Sequence, residues 1–329
     1  MRVMAISRFG APEVLTALER PVPSPGPGEV AIDVAYAGVN FAEILFRRGA
    51  VDVPLPYVPG IQVAGHVRAL GAGVTTLRVG EPVAALTIMD GGGYAEVALA
   101  PATLTFSLED LGGDVDLATA AAATVNVTTA YAVLTEVARL RPGERVLVHA
   151  AAGGVGGALG QVARILGAGM VLGTVGSVGK ADAAEKLGYD RVCPREGFVE
   201  AALVATGGAR LDVVVDPIGG PARAVSLLAL GPLGRLVVMG NASGAPDVAF
   251  KANDLWFSGK GVLGFNLRDL AENAPERVAP LARKALAAVA RGAVRVPLAA
   301  TLPLADAVEA HRRLEGGATT GTLVLQIAG

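Results

Sequence analysis

The stretch Val146 to Gly156, VLVHAAAGGVG, constrains the fold of this chain more than any other. Its first three residues are an apolar run suited to a strand buried on both faces. Val155, Leu159, Val162 and Leu166 then recur at offsets of four, three and four, the stripe of a helix with one covered face. A buried strand that enters a helix through clustered glycines is suited to holding an anion. Gly153 lets the backbone approach a pyrophosphate and Gly156 lets the helix pack closely on the strand. The amides of Ala152, Gly153, Gly154, Val155 and Gly156 lie where the unpaired N–H groups of a helix N-terminus collect. The first glycine of the G-x-G-x-x-G pattern is replaced by Ala151. The alternative is a glycine-rich turn with no ligand.

The same rhythm repeats downstream. Met170 to Val175 reads as a strand and Ala181 to Leu187 as a helix, with further strands at Leu211 to Ile218, Gly234 to Met239 and Gly261 to Phe265. Alternating strands and helices specify a doubly wound parallel sheet covered on both faces. The first hundred or so residues differ. Val30, Ile32 and Val34 alternate with Ala31, Asp33 and Ala35, and turn signals at Pro23 to Gly28, Pro59-Gly60, Gly71 to Gly73 and Gly91 to Gly93 suit a partly open β-barrel. Only a turn is expected near Phe41 to Arg48. Helices around Val278 to Val289 and Leu304 to Leu314 and a strand Thr322 to Ile327 close the chain. The expected domains are 1–122, 123–267 and a return to the first domain over 268–329, an α/β chain throughout.

An acid at the end of the second strand would hold the ribose hydroxyls of NAD. That position is Val175, followed by Gly176, Ser177 and Lys180, so a 2′-phosphate meets no like charge and two donors; NADPH is the expected cofactor. The plainer reading of Lys180 is a solvated charge at a helix start. Lysine and arginine number 28 against 30 acids, a net charge of -2 with no basic block, which argues against a nucleic-acid partner. The single cysteine, Cys193, and the histidines His66, His149 and His311 are too few for a disulfide or a zinc lobe. Leu117 to Thr135 carries five threonines and an asparagine, and Val146 to Ala163 five glycines, so neither is expected to span a membrane. The start, MRVMAISRFG, has no apolar core of signal-peptide length, and a soluble cytoplasmic protein is the expectation.

Several motifs in order resemble one family. They are Ala37 to Phe41 (AGVNF) with Arg47 to Gly49, Val58-Pro59-Gly60, Gly71 to Gly80, Val125-Asn126 with Thr129-Ala130-Tyr131, Ala151 to Gly156, Gly173 to Lys180, Gly240 to Gly244 and Gly264-Phe265. Together they resemble the zinc-free quinone oxidoreductases of the medium-chain dehydrogenase/reductase superfamily, with the Asn126 and Asn241 contexts similar to its vesicle amine transport protein branch. The resemblance implies a GroES-like barrel, a central Rossmann domain and a nicotinamide in the cleft between them. It places Asn40, Ile61 and Gln62 where zinc-dependent relatives carry a cysteine and a histidine-glutamate pair, a set that cannot bind zinc.

The resemblance also suggests roles. Asn40 is the candidate donor to a developing enolate oxygen, or else a brace for its turn. Thr129 is similar to a nicotinamide-side hydroxyl, its alternative being a bond to a preceding helix carbonyl. Asn241 and the backbone of Phe265, Asn266 and Leu267 match groups that meet the cofactor, although Asn241 also suits a plain turn. Arg195 is expected to replace a phosphate-side arginine whose position is Gly317. Enoyl thioester reductases carry a tyrosine acid where this chain has Val51, with Tyr57 nearby, and Glu43 stands where an aspartate is common. Phe41, Leu45 and Tyr57 suggest a hydrophobic small-molecule substrate. Three activities remain open: a quinone or α,β-unsaturated ketone reductase, an enoyl thioester or polyketide enoyl reductase, and a non-catalytic NADPH-binding protein. A homodimer joined through the strand near Val262 to Phe265 is expected. His311 is read as a packed core residue, and His149, His66 and Cys193 as structural.

Overall fold

The structure, a computed structural model, describes residues 1–327; the final two positions of the expected C-terminal return, 328 and 329, lie outside the described residues. The chain divides into two compact units, Met1–Thr128 with Arg268–Gly329, and Thr129–Leu267.

In the first unit β1 (Arg2–Ile6) pairs antiparallel with β2 (Leu15–Glu19). The larger sheet begins with β3 (Glu29–Val39), followed by a helix, α1 (Phe41–Arg48), and then β4 (Gln62–Leu70), β5 (Pro82–Leu86), β6 (Val97–Pro101) and β7 (Thr105–Ser107). β3 is long because it pairs antiparallel with both β4 and β6. Val30, Ile32 and Val34 are buried as their alternation predicts, and Asp33 is exposed, but Ala31 is buried as well. The register of β3 against β4 shifts between Ala31 and Ile32 and again between Val34 and Tyr36, and such bulges reset the inward and outward faces.

Residues 41–48 form two turns of helix rather than a single turn. Asn40 stands at the N-cap with its N–H donating to the Glu43 carboxylate at 3.0 Å, and Gly49 ends the helix in the left-handed region at φ 73°. α2 (Leu117–Tyr131) starts at Asp116, whose carboxylate accepts the Thr119 N–H at 2.9 Å, and continues as a π-helical turn over Ala132–Val137. The helix Leu117–Val137 is long and apolar enough to cross a membrane by length and composition alone. Yet 83% of its most apolar window is buried within the protein, as in a core helix.

The second unit alternates strand and helix: β8 (Arg145–Val148), α3 (Gly154–Ile165), β9 (Met170–Val175), α4 (Ala181–Glu185), β10 (Arg191–Pro194), α5 (Phe198–Ala205), β11 (Leu211–Asp216), α6 (Pro221–Ala229), β12 (Leu230–Val238), α7 (Ala252–Ser258) and β13 (Gly261–Gly264). Among the described residues these strands form one parallel sheet in the order β10-β9-β8-β11-β12-β13, with the reversal of winding beside β8 that marks the Rossmann arrangement. Leu147, Leu172, Phe198, Leu211, Val214, Leu230 and Leu236 pack in its core. β13 is an edge.

The rest of the chain comprises α8 (Leu267–Asn273), α9 (Pro275–Ala290), β14 (Leu298–Pro303), α10 (Ala307–Glu315) and β15 (Thr322–Gln326). β15 pairs antiparallel with β3, Leu323 opposite Val39, and so extends the first unit's sheet; β14 lies parallel beside it. α10 is fastened to α1 by a buried polar group. The fully buried Arg47 pairs with Glu315, donates to the Gly10 carbonyl at 3.1 Å and lies 3.5 Å from His311 Nδ1. His311 Nε2 lies 3.2 Å from the Tyr94 hydroxyl. Burial, and then the Arg47 charge, push the His311 pKa down to about 3, so the ring is neutral and structural.

Candidate functional site

One group of candidate residues lies within the second unit. After β8 the chain turns through Ala150, which holds φ at 56°, a left-handed conformation that costs an L-residue about 1–2 kcal/mol. The turn brings the Ala150 carbonyl under α3. A Cβ on Gly156 would stand 2.1 Å from that oxygen, so only glycine fits, and one on Gly153 would stand 3.3 Å from it. The alanine at the first position of the glycine pattern also has a physical account. Its Cβ lies 2.7 Å from where a side chain at 173 would begin, and Gly173 of β9 supplies the room. Gly153 is the N-cap of α3 and no side chain caps the helix, so the N–H groups of Gly154, Val155 and Gly156 point out of its first turn toward any anion placed there.

Beyond β9, Gly176 and Ser177 are exposed and Lys180 is partly buried. Arg195 follows β10, its N–H bonded to the Val175 carbonyl at 3.0 Å, and its Nη2 lies 3.6 Å from the Cβ position of Gly176. Burial, reinforced by Arg195, holds the Lys180 ammonium below its usual pKa. Burial also lowers that of Arg195, with Asp216 acting in the opposite sense. The Arg195 Nε is buried with no hydrogen-bond partner among the described residues. Two cations that disfavour each other and a buried unsatisfied donor are what a phosphate would relieve.

Other strand ends contribute to the same rim of the parallel sheet. The Phe265 N–H bonds to the Val238 carbonyl at 3.0 Å, which leads Phe265, Asn266 and Leu267 away from the carboxyl end of β13. Asn241 acts in its own loop: Nδ2 donates to the Ala245 carbonyl at 3.0 Å and Oδ1 accepts the Ser243 hydroxyl at 3.1 Å, which leaves one Nδ2 hydrogen for a ligand. Thr124 and Thr135 bond back to the carbonyls of Ala120 and Tyr131, whereas the Thr129 hydroxyl has no such bond among the described residues. His149 is enclosed, with Nδ1 2.8 Å from Thr174 Oγ1 and Nε2 2.9 Å from Ser226 Oγ. Ser226 spends its proton on the Ala222 carbonyl, so the imidazole carries its hydrogen on Nε2. Burial pushes its pKa down to about 4, as suits a structural residue.

A second group of candidate residues lies within the first unit. Asn40 is partly buried at the junction of β3 and α1. Its Oδ1 accepts from Gln62 Nε2 at 3.2 Å and its Nδ2 donates to Glu43 Oε1 at 3.4 Å. Glu43 is fully buried and also accepts the Ile61 N–H at 3.1 Å. Burial raises the Glu43 pKa to about 7, against the pull of these hydrogen bonds. Phe41 and Leu45 share a face of α1 and are only partly covered, while Ile44 and Phe46 are buried. Tyr57 is buried, exchanges two backbone hydrogen bonds with Ile6 and meets Phe46 edge-on at 5.7 Å. Burial, and then the nearby Glu43, push its phenol above the ordinary range. Among the described residues no three His, Cys, Asp or Glu side chains gather as a metal site would require.

Sequence reasoning noted Gln62 only as a missing zinc ligand and passed over the Asp216–Arg223 pair. Asp216 is fully buried at the end of β11, accepts the N–H groups of Ile218 and Gly219, and pairs with Arg223 at 2.9 Å. An acid ending the apolar strand Leu211 to Asp216 and followed by Pro-Ile-Gly-Gly was the available signal.

Comparison with known proteins agrees with this architecture. Residues 26–110 match the alcohol dehydrogenase GroES-like domain and residues 154–284 the zinc-binding dehydrogenase family. A probable quinone oxidoreductase of Schizosaccharomyces pombe is 32% identical over 98% of this chain and 96% of its own length. A 2-haloacrylate reductase from a Burkholderia species is 34% identical over 97% of each. The structure of Escherichia coli quinone oxidoreductase complexed with NADPH superposes with a TM-score of 0.91 at 31% identity, covering 99% of this chain and 100% of that one. With the strand order, the glycine turn and relatives matched end to end all in agreement, the chain belongs to the quinone oxidoreductase-like medium-chain dehydrogenase/reductase family.

Proposed function

We propose that this chain is an NADPH-dependent reductase of quinones or α,β-unsaturated ketones that works without zinc. The observation that carries the cofactor assignment is the group formed by Ser177, Lys180 and Arg195 beside Gly176, with no acid at the end of β9. Lys180, Arg195 and Ser177 would hold a 2′-phosphate. The turn from Ala152 to Gly156 would hold the pyrophosphate. Thr129, Asn241 and the segment Phe265, Asn266 and Leu267 would serve the nicotinamide side. The bound cofactor supplies a hydride. When hydride reaches the β-carbon of an enone, negative charge develops on the carbonyl oxygen, and the Asn40 Nδ2–H is the donor assigned to it. Phe41, Leu45 and Tyr57 supply apolar wall for the substrate, and water supplies the last proton. The positions that bind zinc in metal-dependent relatives hold Asn40, Ile61 and Gln62, which offer no thiolate or imidazole. The relatives' names support the reading: quinone oxidoreductases, and a reductase whose substrate carries a double bond conjugated to a carboxylate. A second copy joined at the β13 edge completes the proposal.

The test is a screen of quinones, enones and enoyl thioesters followed by NADPH absorbance. Turnover of quinones or enones with metal-free protein supports the reading. Turnover confined to thioesters moves the activity to acyl substrates, and NADPH binding with no turnover on any of them leaves a binding protein. Asn40→Ala should slow single-turnover hydride transfer by up to about 2.7–4 kcal/mol with NADPH affinity unchanged. A normal transfer rate beside a lowered Tm would leave Asn40 as a brace only.

A further inference from the structure

A carboxamide can present either its oxygen or its nitrogen to a ligand, and the two ends have nearly the same shape. For Asn40 to donate to an oxyanion, something has to select the nitrogen. Gln62 is fully buried in β4, where an unpaired amide would cost more than it returns, so its contacts have a reason. Its Oε1 accepts the backbone N–H of Val125 in α2 at 2.5 Å. A backbone N–H can only donate, which fixes the oxygen of Gln62 on that side and turns Nε2 toward Asn40. Nε2 can only donate, so it must meet Oδ1 of Asn40, at 3.2 Å. The Asn40 N–H2 then faces the other way, one hydrogen on Glu43 Oε1 and the second unspent. The polarity of one peptide bond in α2 therefore passes through two side chains.

The path for this relay is built into β3. A Cβ at position 38 would stand 2.2 Å from Gln62 Nε2 and 2.7 Å from the Ala121 carbonyl oxygen, so Gly38 leaves the gap through which Gln62 reaches α2. Gly38 does not adopt a positive φ. Its lack of a side chain is used for space and not for backbone freedom.

We propose that Gln62, threaded past Gly38 onto the Val125 N–H, is a positioning residue that makes Asn40 present its N–H2, and not its C=O, to the substrate oxygen. This rests on the reading of Asn40 as the enolate donor. Gln62 does not touch substrate in this arrangement; it acts through Asn40, and it also polarises that amide so that the outward N–H becomes a stronger donor.

The experiment is a double-mutant cycle of Gln62→Met and Asn40→Ala, read by single-turnover hydride transfer from NADPH to a 1,4-quinone and by NADPH Kd. Gln62→Met should slow transfer by about tenfold to a hundredfold, with KM and NADPH Kd little changed, and should add nothing in the Asn40→Ala background. A slow Asn40→Ala beside a normal Gln62→Met overturns this proposal alone. A normal Asn40→Ala overturns the catalytic reading and the proposal with it. A readout independent of activity is the Asn40 side-chain 1H–15N signal, identified by its loss in Asn40→Ala: its solvent exchange should be slow in the native chain and faster in Gln62→Met, and unchanged exchange counts against the clamp. Should Gln62→Met fold poorly, Gln62→Glu keeps an acceptor for Val125 but offers a second acceptor to Asn40. A neutron structure, which separates amide nitrogen from oxygen as X-ray density does not, should then show the Asn40 amide turned over, and an unturned amide overturns the proposal.

Discussion

Lys180 and Glu43 show how far a single side chain can be read. Lys180 was legible from sequence because β9 ends on Val175 instead of an acid and a hydroxyl and an ammonium follow it, which changes which ribose fits. Its pairing with Arg195 was only suggested by family resemblance, since fifteen positions separate them and two strands had to run side by side. A charge-assisted hydrogen bond contributes about 1.5–3 kcal/mol, so Lys180→Ala should weaken NADPH roughly tenfold to 150-fold and leave NADH nearly unchanged, measured as Kd for each. Equal affinity of the native chain for both cofactors would remove the assignment. Glu43 carries a pH signature. Its pKa rises from 4.5 to about 7 on folding, so the folded chain holds that proton more tightly than the unfolded one. Stability is therefore lost as pH climbs from about 4.5 to 7 and is level with respect to this group on either side, a change of about 3 kcal/mol at 1.36 kcal/mol per pH unit. Denaturant unfolding of native and Glu43→Gln protein across pH 4 to 8 should differ in slope inside that window. Parallel curves would mean that Glu43 keeps an ordinary pKa.

At the scale of elements, α3 and α1 were not equally visible. The α3 stripe and its glycines lie in one short stretch, and periodicity suffices to place such a helix. Gly156 is the contact on which this helix and β8 depend. Gly156→Ala would put a methyl 2.1 Å from the Ala150 carbonyl oxygen, a backbone atom that cannot swing aside as a side chain does, and α3 would have to move. Loss of more than about 3 kcal/mol of stability together with weakened NADPH binding is expected, read by urea unfolding and by cofactor titration. An unchanged midpoint would mean that the turn relaxes freely. α1 was read only as a turn because it is eight residues long and its buried face carries Glu43 and Arg47 beside Ile44 and Phe46. Two turns are too few for an apolar stripe to recur along the sequence, and the buried polar residues are tolerable only because the adjacent Asn40 and the distant Ile61, Glu315 and Gly10 satisfy them.

For the molecule as a whole, the open edge of the parallel sheet at β13 is the feature that asks for a partner. Val262 and Leu263 are only partly covered there, and Trp256 and Phe257, which precede the strand, stack on each other at 4.7 Å while 73% and 77% exposed. Unpaired strand edges and exposed aromatic rings are liabilities in a lone chain and assets in an isologous pair. Light scattering at micromolar concentration should give twice the chain mass. Because Trp256 is the sole tryptophan, its quenching by iodide should fall as the chain is concentrated through the dimer equilibrium. A monomer mass with concentration-independent quenching would set the dimer aside.

The sequence by itself determined the alternation of strand and helix over the second unit, the glycine turn at its first crossover and the lack of an acid beside Ser177. Each of these is written in residues close together along the chain, where periodicity and backbone sterics act. Tertiary structure alone decided that Ala151 is tolerated opposite Gly173, that Arg195 comes to lie beside Gly176, and that Gln62 passes Gly38 to set the Asn40 amide. Those outcomes depend on which strands become neighbours and in what register. A hydrogen bond or a van der Waals gap of a few ångströms has no sequence period and exists only once distant segments are packed together.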